Sequence, residues 1–170
     1  KPNVVIIFTD DQGYQDLGCY GSPLIQTPSI DGMAREGLKL TDFYVSASVS
    51  SASRAGLLTG RLNTRNGVKG VFFPESEGMS SEEITLAEAL KEQGYATGCF
   101  GKWGMGYPGS GGEANKMGFD VFYGYNCQRK AHSYYPEYLW NNQEKEYQNG
   151  RYSQDAIHEH AMKFIEDNKD

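Results

Sequence analysis

The strongest constraint on the fold is the segment 3–9 near the start of the sequence, with its apolar run from Val4 to Phe8. Most of its residues are β-branched and none follow a helical period, which indicates a strand covered on both faces of a sheet. Strands of this kind are typical of α/β proteins, in which helices flank a largely parallel sheet. The two carboxylates of Asp10 and Asp11 follow directly, at the strand end where such proteins collect their active sites.

The rest of the chain alternates between strand and helix patterns, which supports the α/β class. The first and third of the predicted helices are expected to begin at a polar cap and to end at Gly37 and Gly94. The predicted helices cover 27–36, a stretch from Ser53, a stretch from Ser80 or Ser81 to Gly94, and 154–168. The predicted strands cover 38–45, 96–100 and 119–125, and 108–112 is a loop. Residues 1–170 contain no repeat or linker, and the last helix needs a further sheet to cover, so the sequence predicts one incomplete domain.

Charge, apolar run length and cysteine spacing exclude several functions. The chain has 16 basic and 22 acidic residues, a net charge of −6, and no basic stripe for nucleic acid. No apolar run approaches the length of a membrane span, and a signal peptide was either removed or never present. The cysteines are too far apart for a metal knuckle or redox pair, which favours buried thiols over one disulfide plus a leftover. These cysteines are Cys19, Cys99 and Cys127.

Asp10 and Asp11 form the first candidate site. Adjacent carboxylates in a cleft repel each other unless a proton or cation lies between them. Ca²⁺ and Mg²⁺ prefer oxygen ligands of this kind. The pair therefore indicates either a metal site or a solvated Asp-Asp turn, and the spacing alone leaves both open.

The segment from Ser50 to Arg61 forms the second candidate site. Small residues lead into a predicted helix, with the guanidinium of Arg54 just inside it. A nucleophile at a helix N-terminus lies beside exposed N–H groups and the positive end of the helix dipole, both of which favour an anionic substrate. Arg54 can brace that charge with two hydrogen bonds. Serine-rich helix caps are also common as purely structural features.

These motifs together resemble the opening of the type I sulfatases, the arylsulfatase-like family. Its nucleophile signature is Cys or Ser, any residue, Pro or Ala, any residue, Arg, which Ser50, Ala52 and Arg54 match. The long form ends in the sequence Leu57 to Arg61, and the Asp-Asp pair also corresponds. The resemblance extends from residue 3 to about residue 106, and more loosely to the end. It implies an alkaline-phosphatase-like α/β fold, with 1–170 as the N-terminal part of the catalytic domain.

The resemblance also implies a chemistry for individual residues. Ser50 is expected to be oxidised to formylglycine by a maturase and to act as the nucleophile that hydrolyses a sulfate ester. Ca²⁺, less favourably Mg²⁺, is expected at Asp10, Asp11 and residue 50, and relatives supply further ligands later in their chains. Arg54 is expected to hold the formylglycine and Lys102 to contact the sulfate. These roles agree with the need for positive charge around a transferring sulfuryl group.

The substrate and location also follow from the resemblance. The expected substrate is a sulfated carbohydrate, such as a galactose or N-acetylgalactosamine sulfate, and the expected location is periplasmic or secreted. A phosphodiesterase or phosphonate hydrolase of the same superfamily is an alternative, because these enzymes can share the signature. The second alternative is a catalytically silent relative that binds glycans.

Three positions depart from the common pattern of the family. Ser50 stands where cysteine is commoner, which indicates either a serine-type branch or a protein that does not mature. Ala52 is an accepted variant of proline. Gly104 stands two residues after Lys102, where many relatives have the acid/base histidine. His132, in a polar and aromatic loop, is the predicted substitute for that histidine, and an ordinary surface histidine is the other interpretation.

Overall fold

The structure is a computed structural model that describes residues 1–169. The chain divides into two compact units, the first covering Lys1–Tyr44 and the second beginning at Val45. Helices and strands both occur, as the sequence predicts for an α/β protein. No helix in the described part of the chain has the length and apolar character that a membrane span requires.

The first unit is organised around one helix, α1 (Pro28–Glu36). It begins after Thr27 with a proline at the first position and ends at Gly37, which confirms the sequence prediction. Two short 3₁₀ turns precede it, Tyr14–Asp16 and Gly18–Tyr20. The Asp31 carboxylate of α1 accepts hydrogen bonds from Thr27 Oγ1, at 2.9 Å, and from the backbone N–H of Cys19, at 2.7 Å. These bonds join the helix to the second turn.

Two strand predictions in this part of the sequence are wrong. Residues 3–9 and 38–45 have no regular secondary structure, and no residue of the first unit is buried. Ile7, in the middle of the apolar run, is 77% exposed. A strand is defined by hydrogen bonds to a neighbouring strand, and no strand within residues 1–169 pairs with either segment. The apolar pattern is therefore present without the partner that would make it a strand.

From Val45 to Lys169, the second unit contains a four-stranded sheet and four helices. The strands are β1 (Gly98–Lys102), β2 (Val121–Tyr125), β3 (Tyr138–Asn141) and β4 (Glu144–Tyr147). The helices are α2 (Ser50–Thr59), α3 (Asn63–Asn66), α4 (Leu86–Glu92) and α5 (Ser153–Asn168). Short 3₁₀ turns cover Ala114–Met117 and Lys130–His132. The helix predicted for 154–168 and the strand predicted for 119–125 are confirmed, with shifts of one or two residues.

The sheet is mixed, where the sequence predicts a largely parallel one. Its order is β1-β2-β3-β4; β1 and β2 are parallel, while β2–β3 and β3–β4 are antiparallel. The antiparallel part is a hairpin that the sequence analysis missed. Asn142 in its turn has a positive φ of 54°, a conformation that asparagine tolerates better than most residues. The parallel pair brings the ends of β1 and β2 to the same edge, with Lys102 opposite Tyr125.

The start of α4 also differs from the prediction. Its N-cap is Thr85, whereas the sequence indicates Ser80 or Ser81. Thr85 Oγ1 accepts the backbone N–H of Glu88, and the Glu88 carboxylate accepts the backbone N–H of Thr85, which completes a capping box. Thr85 is almost fully buried and donates to the carbonyl of Met117 at 2.7 Å. This tertiary contact distinguishes Thr85 from the serines before it.

The core of the second unit consists of two clusters. Phe122, Trp103 and Met105 belong to one, and Ala52 and Ala55 of α2 pack into it. The other cluster lies where α5 packs on the sheet; its members are Tyr123, Tyr125, Leu139, Ala156 and Ile157. Small alanines on the inner face of α2 allow the helix backbone to approach the core closely. The N-terminus of α2 is therefore held in a fixed position.

Candidate active site

Ser50 lies at the N-terminus of α2, as the sequence predicts, although the helix begins at Ser50 itself and not at Ser53. Its Oγ accepts a hydrogen bond from Arg54 Nε at 3.1 Å and donates one to Gln128 Oε1 at 3.0 Å. Arg54 lies one turn further along the helix, so both side chains project from the same face. The structure therefore joins Ser50 to the guanidinium of Arg54, whereas the predicted role of Arg54 toward a formylglycine or a substrate anion stays a prediction.

Arg54 connects the start of α2 to the end of β1. Its Nη1 donates to the carbonyl of Lys102 at 2.8 Å. Lys102 is the last residue of β1 and is partly buried. Ser50, Arg54 and Lys102 are thus brought together at the edge of the sheet where parallel strands end, although their sulfatase roles stay predictions. This is the edge at which α/β proteins bind ligands.

A second serine extends this network behind Ser50. Ser51 is fully buried, and its Oγ donates to the carbonyl of Gly104 at 3.0 Å. The same oxygen accepts the backbone N–H of Phe72 and the side-chain N–H of Gln128, each at 3.0 Å. One buried hydroxyl therefore ties α2 to the loop after β1 and to the loop after β2.

Gln128 is the residue at this site to which the sequence analysis gave no role. It lies three residues after the end of β2 and contacts Ser50 and Ser51 together. Gly104 lies beside it with a φ of 71°, and a Cβ at Gly104 would lie 2.3 Å from Gln128 Nε2. The sequence contained one signal for this contact. Gly104 has no side chain where many relatives have histidine, and Gln128 lies where a side chain at position 104 would begin.

His132, the predicted acid/base residue, lies on the short 3₁₀ turn Lys130–His132 and is exposed. Within the described residues the structure shows no hydrogen bond between its ring and Ser50. The residue of this loop that contacts Ser50 is Gln128. The role of His132 stays a prediction.

Asp10 and Asp11 belong to the first unit and are both exposed. Asp11 has a φ of 50°, in the left-handed region, which fits a turn directly after residues 3–9. Ca²⁺ takes about six to eight oxygen ligands, and Mg²⁺ about six. No group of three or more His, Cys, Asp or Glu residues gathers as a metal site anywhere in residues 1–169. The carboxylates described here do not by themselves fit a complete Ca²⁺ site.

A cavity adjoins the loop that carries Gln128. Tyr138 and Trp140 of β3 form part of its wall, with ring centroids 5.7 Å apart. The ammonium of Lys130 lies 3.9 Å from the centroid of the Tyr138 ring, and that of Lys145 lies 4.4 Å from it. The lining residues are Pro74, Pro108, Tyr125, Asn126, Cys127, Lys130, Tyr138 and Trp140. Aromatic rings and ammonium groups therefore occur together beside the loop that carries Gln128.

The three cysteines are free and partly buried. Burial raises the pKa of the Cys99 thiol to about 12, and the nearby charge of Arg54 opposes this rise only in part. Cys99 is therefore protonated at neutral pH and is a poor nucleophile. Cys99 therefore does not compete as a nucleophile near Arg54, and the nucleophilic role of Ser50 stays a prediction.

Comparison with known proteins identifies the family. The model of the family described as Sulfatase matches residues 2–170. The chain belongs to the sulfatase family. Arylsulfatase A of Homo sapiens is 54% identical over 107 residues, which cover 62% of this chain and 21% of the relative. The chain thus spans about a fifth of the length of that curated relative.

Solved structures of other proteins share the fold of this chain. The crystal structure of Ps i-CgsB in complex with k-i-k-neocarrahexaose has a TM-score of 0.82 and 30% identity, over 93% of this chain and 40% of that one. A second structure, in complex with its substrate D-glucosamine-2-N,6-O-disulfate, has a TM-score of 0.79 and 30% identity, over 97% and 31% of the two chains. The α/β sulfatase fold predicted from the sequence is confirmed.

Proposed function

We propose that this chain is the part of a sulfatase that carries the nucleophile, and that the whole protein hydrolyses sulfate esters at residue 50. The observation that carries the proposal is the hydrogen-bonded pair of Ser50 and Arg54 at the N-terminus of α2, in a chain of the sulfatase family. The nucleophile position, a fixed cation and a helix N-terminus coincide there. All three favour an anionic ester as substrate.

Each side chain around residue 50 is proposed to have a different role in the reaction. Arg54 donates from Nε to the oxygen of residue 50, which lowers the cost of negative charge on that oxygen. Lys102, at the end of β1, is proposed to supply positive charge to the sulfuryl oxygens. When residue 50 is formylglycine, its hydrated aldehyde offers one hydroxyl for attack on sulfur and a second for the later release of sulfate. Plain serine lacks the second hydroxyl, so oxidation of Ser50 by a maturase is part of the proposal.

Ca²⁺ is proposed for the whole protein, with Asp10, Asp11 and residue 50 among its ligands. The proposal rests on the chemistry of the adjacent carboxylates and on the family resemblance, because residues 1–169 do not complete a site. Metal analysis of the full-length protein after dialysis tests it. Asp10→Asn with Asp11→Asn is expected to abolish bound Ca²⁺, whereas Asp42→Asn, an exposed carboxylate of the same unit, is expected to leave the Ca²⁺ content unchanged.

A sulfated sugar is the proposed substrate, with galactose or N-acetylgalactosamine sulfate preferred. The cavity beside the Gln128 loop supports it, because Tyr138, Trp140 and Lys130 line it and Lys145 lies over the Tyr138 ring. Aromatic faces suit the apolar faces of sugar rings, and ammonium groups suit sulfate. The solved relatives described above were crystallised with sugar ligands, one of which is a disulfate.

The decisive experiment measures sulfate release by the full-length, matured protein from a panel of sulfated monosaccharides, with the matching phosphate esters alongside. Turnover of the sulfates with little phosphate release is expected. Ser50→Ala should abolish turnover, while Ser81→Ala, an exposed serine of the same unit, should leave it unchanged. Preferential phosphate release would favour the phosphodiesterase alternative, and no release of either anion would contradict the proposal.

The chemical state of residue 50 separates an active enzyme from a silent glycan-binding relative. In protein from its own host, the peptide containing residue 50 is expected to be about two daltons lighter than the serine form, because oxidation removes two hydrogens. An unchanged mass, together with glycan binding in the absence of sulfate release, would support the silent relative. Export to the periplasm or beyond is also proposed from the family resemblance, and cell fractionation tests it.

A further inference from the structure

We propose that Gln128 is a positioning residue for residue 50, and that it occupies the space left by the missing side chain at Gly104. The inference rests on the proposed function, because it concerns the residue proposed as the nucleophile. Gln128 is the described side chain that contacts Ser50 from outside α2, and it is held in place by a second hydrogen bond to Ser51. It lies 78 residues from Ser50 in the sequence, so only the fold brings the two together.

The hydrogen bonds around Ser51 determine which end of the Gln128 amide faces Ser50. A carbonyl can only accept, so Ser51 Oγ must donate its one hydrogen to the carbonyl of Gly104. The N–H of Phe72 can only donate, and it takes one lone pair of the same oxygen. The remaining lone pair requires a donor, which is the NH₂ of Gln128. The carbonyl end of the amide, Oε1, must therefore face Ser50.

This orientation fixes the hydroxyl of Ser50 in turn. Arg54 Nε can only donate, so Ser50 Oγ accepts from it and must give its own hydrogen to Gln128 Oε1. Each hydrogen bond in the chain from Phe72 to Arg54 has one permitted direction. A residue-50 hydroxyl is thus held between a cation that donates and a neutral amide that accepts.

The neutrality of the amide limits what Gln128 can do. An amide carbonyl is too weak a base to remove a proton at any physiological pH, so Gln128 orients the hydroxyl without activating it. Orientation of a nucleophile matters most in the chemical step and less in substrate binding. Loss of Gln128 should therefore lower kcat far more than it changes KM.

Gly104 and Gln128 are sterically coupled. The three heavy atoms nearest to an added Cβ at Gly104 all belong to the Gln128 amide, the closest at 2.3 Å. A side chain at position 104 and the observed position of Gln128 therefore exclude each other. Gly104 also has a φ of 71°, so any substitution there carries backbone strain in addition to the clash.

The first test measures the kinetics of the full-length, matured protein, corrected for the fraction of residue 50 that mass spectrometry finds oxidised. Gln128→Ala is expected to lower kcat about ten-fold, with KM changed by less than about two-fold. Gln154→Ala, an exposed glutamine at the start of α5, should leave both constants unchanged. A Gln128→Ala protein with wild-type kcat would overturn the inference, as would a loss confined to KM.

The second test measures steric coupling through melting temperatures and needs no activity. Gly104→Ala is expected to lower the melting temperature more than Gly67→Ala, whose glycine has a similar φ of 78° but open space around its Cβ position. In a Gln128→Ala background the excess effect of Gly104→Ala should vanish, leaving only the strain shared with Gly67→Ala. An excess that persists without the Gln128 side chain would show that Gln128 does not fill this space, and would overturn the inference.

The two tests also separate failure of the inference from failure of the proposed function. A matured wild-type protein that releases no sulfate from any substrate would refute the proposed function, and the role of Gln128 in catalysis with it. Sulfate release that survives Gln128→Ala undiminished would refute the positioning role alone.

Discussion

The two compact units of the chain place their apolar residues in opposite environments. In residues 1–44 the apolar run Val4 to Phe8 is at least one-third exposed at every position, and nothing in the unit is buried. In the unit that begins at Val45, Phe122 and Tyr123 of β2 are almost fully buried. Both segments have apolar, strand-like sequences. The difference is that β2 pairs with a strand on each side, β1 and β3, whereas no strand within residues 1–169 pairs with residues 3–9.

The candidate site residues follow the same division. Ser50, Arg54 and Lys102 belong to the second unit, where two hydrogen bonds from Arg54 connect them. Asp10 and Asp11 belong to the first unit and are exposed. The hydrogen-bonded candidate residues therefore lie in the unit that has a buried core. The experiments below test this difference, beginning with the largest expected effect.

Removing a core aromatic residue should affect the second unit far more than removing an apolar residue affects the first. Phe122→Ala is expected to lower the free energy of unfolding by about 3–5 kcal/mol, because it leaves a cavity beside Trp103. Ile7→Ala should change it by less than about 0.5 kcal/mol, because Ile7 is already exposed. Denaturant unfolding of the 170-residue chain measures both values. Similar costs for the two variants would contradict the exposed position of Ile7.

Loss of the α4 cap should have an intermediate effect. Thr85→Ala removes the acceptor for the Glu88 N–H and leaves the buried carbonyl of Met117 without its donor. The expected cost is about 1–3 kcal/mol in the free energy of unfolding. Thr64→Ala, at an exposed position of α3, serves as the matched control and should be nearly neutral. A neutral Thr85→Ala would contradict the capping role of Thr85.

Acid should loosen the first unit through Asp31. The hydrogen bond from Thr27 is the largest cause that lowers the pKa of this carboxyl below its ordinary value of 3.8. Because the folded pKa is lowered, the stabilisation is present above the ordinary value and is lost as the pH falls through the folded value. Hydrogen exchange at the Cys19 amide, which donates to Asp31, should therefore accelerate at low pH relative to unstructured amides.

Two variants check the assignment of this acid effect. Asp31→Asn should remove the pH dependence of exchange at Cys19, whereas Asp42→Asn, an exposed carboxylate of the same unit, should preserve it. A pH dependence that persists in Asp31→Asn would assign the effect to another group.

The smallest expected effect is a difference in labelling rate between two cysteines, which involves no change in the free energy of unfolding. Burial raises the pKa of Cys99 to about 12, so only a trace of thiolate is present at pH 8. Iodoacetamide is expected to modify Cys19, in the first unit, faster than Cys99 of β1, and peptide mass spectrometry reports both rates. Faster modification of Cys99 would contradict its burial.

Local sequence signals account for much of the helical structure. Pro28 and Gly37 delimit α1 because their backbone preferences act within a few residues. Ser50 and Arg54 meet because positions four apart on a helix are neighbours, so this pair could be predicted once the helix was recognised. The start of α4 could not, since the serines and Thr85 are similar caps locally. Thr85 differs through its buried contact with Met117, which is far away in sequence.

Strand pairing and the surroundings of Ser50 depended on the tertiary structure. A strand pattern specifies which residues can face a core, but the hydrogen bonds of a strand come from a distant segment. For this reason β2 is paired in the sheet, whereas the segment from Val4 to Phe8, with a similar pattern, is not a strand. By itself the sequence determined the family and the α/β class. It also indicated that Ser50 and Arg54 lie near a helix N-terminus and Lys102 at a strand end. The tertiary structure decided that Gln128 contacts Ser50 beside Gly104, because a contact across 78 residues leaves no periodic signal in the chain.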